Sequence, residues 1–210
     1  MPTWDSFGLW TNDTLTTEFS GLYQLIHETD LSDNPQDFVL YLGSNLTDRI
    51  LQTTTNPGVD DVELSIVDRL PVWDNSTAYT VGQSIQPTTP NGYRYMCTTA
   101  GTSHSTTEPT WPEPPDGVGT TVADGTAIWT FVGARHELEE IKLATTSGGL
   151  DTAVGGDPLT LNNTIEGGDA EAVEIHIRVE NAVNIVSNNA GTPEIGLNFN
   201  ECTETAIVPS

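Results

Sequence analysis

EAVEIHIRVENAV, residues 171–183, decides the fold class. Val173, Ile175, Ile177 and Val179 point to one side of an extended chain, and Glu174, His176, Arg178 and Glu180 to the other. A period of two marks a half-buried strand, because successive side chains of a strand alternate between its faces. The pattern recurs outward from here. DVELSIVD (61–68) sets Val62, Leu64 and Ile66 against polar neighbours, and DFVLYLG (37–43) is a short apolar run closed by glycine. LEEIKLATT (138–146) offers a further strand. DPLTLNNTIEGG (157–168) alternates Leu159 and Leu161 before breaking at Gly-Gly, and EIGLNFNECTET (194–205) alternates Ile195, Leu197 and Phe199. Turn-forming stretches separate these runs: TNPGVDD, TSGGLDTAVGGD, EGGDAE and NNAGTPE. Helical spacing occurs in FSGLYQLIHETDLS (19–32), at Phe19, Leu22, Tyr23 and Ile26, but the same stretch reads equally as a strand and turn. Short strands, frequent turns and no helical crossovers predict an all-β chain, an antiparallel β-sandwich of Ig-like or jelly-roll-like kind.

The chain has 210 residues and a hydrophobic share of 36%, so its core must be assembled from short apolar runs. None approaches the ~18 apolar residues of a membrane-spanning helix, and the opening MPTWDSFGLW lacks the basic-then-apolar order of a secretory signal. Six Lys+Arg stand against thirty Asp+Glu, for a formal net charge of -24, and Lys142 is the only lysine. Such a surface repels phosphate backbones, which argues against direct gripping of nucleic acid. Two explanations of the acidity stay open: solubility in a salty habitat, or a surface that must not stick to DNA and other anions.

Residues 71–134 differ in texture. They hold Trp73, Trp111, Trp129, Tyr79, Tyr93, Tyr95 and Phe131 and most of the prolines, but only six charged residues: Asp74, Arg94, Glu108, Glu113, Asp116 and Asp124. Strand patterns stop at SIVDRL and resume at HELEEIKL. This predicts a small aromatic-rich β module (71–134) inserted into a loop of a discontinuous sandwich (1–70 plus 135–210). Three strands are legible inside it, QSIQPT, YRYMCTTA and TAIWTFVG, with turns at PNG and at Asp124-Gly125. A module this small needs a compact aromatic core, with Trp129 and Tyr95 as its expected members; Trp111, between two prolines, is the ring expected to be exposed.

The order Trp73, Ala78-Tyr79, Val81-Gly82-Gln83, NGYRYMC (91–97), AGTS (100–103), EPTWP (108–112) and GTTVADGTAIW (119–129) resembles a short module that recurs in structural proteins of tailed bacteriophages. It is also distantly similar to small chitin-binding modules. The resemblance covers roughly residues 72–133. It implies a virion structural protein, with head decoration as the first role: a sandwich bound to the major capsid protein or other virion proteins, as a homo-oligomer with a trimer favoured, projecting the small module outward. A tail-tube subunit with a decorating insert, or a free carbohydrate-binding module, are the alternatives. The similarity to sugar-binding modules implies weak glycan contact through Trp111, Trp73, Tyr79 and Tyr93.

The residues themselves predict no enzyme and no cofactor. His27, His104, His136 and His176 form no metal-ligand spacing. HETDLSDNPQD and VDD are acidic but lack the spacing of a calcium loop. Glu108 and Glu113 flank Trp111 in a way that suggests a hydrolytic carboxylate pair, although a chain with thirty acids supplies such pairs readily. Cys97 and Cys202 are expected as two free thiols.

Overall fold

The computed structural model describes residues 4–21, 23, 25, 30–182 and 194–207. The chain is all-β, built from antiparallel sheets as a β-sandwich fold. It divides into two compact units. The first comprises residues up to Val67, Leu138–Ala182 and the chain from Gly196; the second comprises Asp68–Glu137 together with Glu194 and Ile195. The leading strands are β1 (Phe7–Trp10), β2 (Gln36–Ser44), β3 (Arg49–Thr53) and β4 (Glu63–Asp68). Next come β5 (Ala78–Tyr79), β6 (Ser84–Ile85), β7 (Tyr93–Thr99), β8 (Gly101–Thr102), β9 (Thr121–Asp124) and β10 (Ala127–Ala134). Closing the chain are β11 (Ile141–Ala144), β12 (Leu159–Thr160), β13 (Ile165–Glu166), β14 (Val173–Val179), β15 (Ile195–Phe199) and β16 (Cys202–Ala206).

In the first unit β14 lies in a sheet ordered β1-β2-β14-β11. Its register sets Val173 opposite Leu42, Ile175 opposite Leu40 and Ile177 opposite Phe38. On its other side Ile177 meets Leu143. A one-residue slip would turn this whole set to solvent, so the alternation that marks the strand also fixes its pairing. Leu40, Leu42, Ile175 and Ile177 are fully buried, each contributing about 1.5–3 kcal/mol. The opposite face is polar. Arg178 bonds Asp37 and Asp151, and His176 sits 2.9 Å from Glu174.

Two sheets complete this unit, β13-β3-β16 and β12-β4-β15. DPLTLNNTIEGG is not one strand but two: β12 pairs β4 and β13 pairs β3. EIGLNFNECTET divides the same way, β15 beside β4 and β16 beside β3. Each stretch therefore crosses from one sheet to the other. Residues 138–140 form a 3₁₀ turn ahead of the strand at Ile141. Of the ambiguous stretch 19–32, Leu22, Ile26 and His27 lie outside the described residues; Tyr23 stacks on Phe38 at 4.1 Å.

Glu204 ties the N-terminal strand to β16. Its carboxylate accepts from the Ser6 amide and hydroxyl and the Phe7 amide, and Arg49 lies 3.4 Å away. Burial pushes its pKa up, but the Ser6 and Phe7 hydrogen bonds outweigh that and hold it below the usual range. A lowered folded pKa stabilises above the unfolded value, about 4.3, and that contribution is lost as pH falls through the folded one. Glu204→Gln is expected to lower the urea midpoint at pH 7, and the gap to wild type should narrow as pH falls below the unfolded value of about 4.3.

The second unit has a sheet ordered β6-β7-β10-β9 and a small β5–β8 ribbon. Trp73, Tyr79, Ile85, Tyr95, Cys97, Trp129 and Phe131 form its core. The buried Asp124 sits among these rings. Its Oδ2 accepts both indole N–H groups, Trp73 Nε1 at 2.8 Å and Trp129 Nε1 at 3.0 Å, and Oδ1 accepts the His104 amide at 2.7 Å. Gly125 follows at φ 59, as a two-residue hairpin loop requires. A Cβ there would lie 2.3 Å from the Thr102 carbonyl, and one at Gly101 would lie 2.4 Å from the Thr126 backbone, so both positions demand glycine. Where the chain enters and leaves the unit, Arg135 bonds Asp68 and Gln86. On β7, opposite Gly133, the buried Arg94 pairs with Glu194, one hundred residues on. Cys97 and Cys202 are free thiols, both pushed up by burial.

Candidate functional site

The chain after β6 and the loop before β9 enclose an open groove of about 370 Å³ in the second unit, lined by Pro87, Thr88, Thr89, Asn91, Glu108, Pro109, Thr110, Trp111 and Glu113. Local sequence explains its shape. Pro87, Pro109 and Pro112 fix φ and remove backbone donors, which keeps the walls extended and out of the sheet ladders. Asn91 and Gly92 form the turn into β7, with Gly92 at φ 81.

Trp111 is half-buried. Its ring packs on Tyr95 at 4.5 Å and edge-on to Trp129 at 6.0 Å. The indole N–H donates to Glu108 Oε1 at 2.8 Å, and the same oxygen accepts the Thr88 amide at 2.9 Å. The Thr88 hydroxyl donates to Glu108 Oε2. Across the groove, Asn91 Nδ2 donates to Glu113 Oε1 and to the Tyr95 hydroxyl, each at 2.9 Å. The Tyr95 hydroxyl in turn donates to the Pro112 carbonyl at 2.8 Å. Burial raises the Tyr95 pKa above its ordinary value. The result is a half-buried indole between two carboxylates, each oriented by neutral donors from the chain itself.

The four rings expected to face a ligand separate into two groups. Trp111 lines the groove. Trp73 and Tyr79 do not: they are 8% and 7% exposed and belong to the core. The reason is their polar tips. Trp73 satisfies its N–H on Asp124, while the Tyr79 hydroxyl accepts the Asp74 amide and donates to the Asp74 carbonyl, so both rings are buried without an orphaned group. Tyr93 is half-buried, edge-on to Phe131 at 5.4 Å, and does not line the groove. Trp129 and Tyr95 are fully buried, as core members.

Thr88 and Asn91 do line the groove but carry no sequence signal of their own; their roles depend on acids 20 and 22 residues downstream. Both members of the Glu108/Glu113 pair are groove residues. Both Glu108 oxygens accept hydrogen bonds, from Trp111 and Thr88, and Glu113 accepts one from Asn91. The remaining histidines lie elsewhere. The His104 ring caps the Thr106 and Thr107 amides, and the His136 amide donates to Glu194. Among the described residues, no three His, Cys, Asp or Glu side chains converge on a point where a metal would bind. No family model, curated protein or solved structure matches the chain.

Proposed function

We propose that this chain is a non-enzymatic structural protein of a tailed-phage virion, a decoration protein of the outer head whose aromatic unit makes weak contact with glycans. The reading is carried by one observation: the half-buried Trp111 lies in a groove walled by threonines, prolines, Asn91 and two carboxylates. An apolar ring surrounded by hydrogen-bonding groups suits the apolar face and rim hydroxyls of a pyranose. The phage assignment is supported by the motif order of residues 72–133. The residues that spell the motif, Trp73, Tyr79, Tyr95 and Trp129, build the unit's core, so the motif describes a scaffold rather than a chemistry. The sandwich makes the assembly contacts with the major capsid protein, as a homo-oligomer. Buried area added across capsomer seams raises resistance to internal pressure. Repetition of a weak groove over a lattice turns low affinity into useful retention.

Electron microscopy of the purified protein, alone and mixed with empty capsids, tests the assembly role. Regular surface knobs on the capsids are the expected result. Self-assembled rings or tubes would move the role to the tail, and monomers that leave capsids bare would remove both. Glycan binding has its own readout. Trp111→Ala is expected to abolish retention on immobilised oligosaccharides while the near-ultraviolet spectrum of the remaining tryptophans stays folded.

A further inference from the structure

We infer that the Trp111 groove prefers a sugar that carries a free, protonated amine, a glucosamine-type unit, over its neutral acetylated counterpart. The inference rests on the glycan reading of the groove and adds the charge of the ligand. Two carboxylates line the groove, Glu108 and Glu113, and the lining contains no lysine, arginine or histidine. Among the described residues, the groups that bond those carboxylates are neutral: the Trp111 indole, the Thr88 amide and hydroxyl, and the Asn91 amide. These bonds orient the negative charge without cancelling it. Two of the unit's arginines are engaged away from the groove, Arg94 with Glu194 and Arg135 with Asp68.

An indole face beside a carboxylate attracts an ammonium twice, through the ring quadrupole and through the opposite charge. Glu108 is bonded to the ring's own N–H edge, which places the two attractions side by side. A groove lined by one sign of charge also concentrates counter-ions of the other. A sugar fits better than a lysine side chain, because the groove is wide and open and its walls carry the further hydroxyls of Thr89 and Thr110 for ring hydroxyls.

The test uses the intact chain at pH 6 and calorimetric titration with three probes of equal length: a glucosamine oligomer, an N-acetylglucosamine oligomer and oligolysine. A chain with net charge -24 attracts any polycation, so the measured quantity is the affinity ratio between the two sugars, compared across two variants. Glu113→Gln removes one groove charge, and Asp157→Asn removes one exposed charge in the other unit. The expected result is about tenfold tighter binding of the amino sugar, shrinking with added salt. Glu113→Gln should bring the ratio toward one, and Asp157→Asn should leave it unchanged. Equal affinity for both sugars overturns the inference and leaves the glycan reading intact. Equal loss of the ratio in both variants shows a diffuse ionic attraction and overturns it as well. Tight oligolysine binding with weak sugar binding replaces the sugar by a basic peptide. Binding of none of the three removes the glycan reading itself.

Discussion

Asp124→Ala is expected to lower the stability of the aromatic unit by about 4 kcal/mol. The carboxylate is 2% exposed and accepts three N–H groups, two of them from fully or nearly fully buried tryptophans. Truncation leaves all three donors without a partner in an apolar core, at about 1–3 kcal/mol each before relaxation. That is a large fraction of the ~5–15 kcal/mol that separates a folded domain from its unfolded state. Asp124→Asn keeps the volume but turns an –NH₂ toward either the indoles or the His104 amide, so a smaller loss is expected, of about 1–3 kcal/mol. Urea unfolding followed by tryptophan emission measures both. An alanine variant within about 1 kcal/mol of wild type would show that the indoles find other acceptors and that Asp124 is not the centre of this core.

The second large effect lies at Arg94. Its guanidinium is 4% exposed and pairs with a Glu194 carboxylate that is 6% exposed. Burial pulls the Arg94 pKa below its ordinary value and Glu194 offsets part of that, while the guanidinium stays charged. Arg94→Ala removes the guanidinium from beside a buried carboxylate that also accepts the His136 amide. The expected cost is about 3–5 kcal/mol. The double variant Arg94→Met with Glu194→Gln removes both charges at similar volume and is expected to recover most of it, since well-packed neutral groups replace buried ion pairs at little cost. A double-mutant cycle reads the coupling directly. A double variant as unstable as the sum of the singles would locate the loss in packing rather than charge. By contrast, the partners of Arg178, Asp37 and Asp151, are 45% and 70% exposed, and water screens that network.

These two positions also show where sequence reading stops. Strands β4 and β14 were legible because their inward residues are aliphatic and their period is two, and β2 because it is a short apolar run closed by glycine. β9 was not, since the residue it buries is Asp124. β3 was not, since it turns Thr53 inward beside Leu51. β1 was missed for the opposite reason: Phe7, Leu9 and Trp10 are apolar on both faces and show no alternation. A buried polar residue is intelligible only with its partner, and these partners are distant. Ser44 meets Ser6, Asp124 meets Trp73 from 51 residues away, and Arg94 meets Glu194 across one hundred. The groove follows the same rule. Trp111 stood out as an aromatic between prolines, but which rings line the groove depends on where the indole and phenol tips find acceptors. That separates Trp111 from Trp73 and Tyr79, although composition treats the three alike.

The Arg94–Glu194 pair has a consequence for how such a gene can be rearranged. Recombination that lifted residues 68–137 into another reading frame would carry the arginine codon and leave its glutamate codon behind. The recipient would inherit a buried cation with no counter-charge, a defect comparable to the whole margin of a small domain. Transfer then succeeds along two routes: co-inheritance of the distal codon, or prior replacement of Arg94 by an apolar residue. A substitution at either codon is therefore expected to cost more or less stability according to the residue that the other encodes.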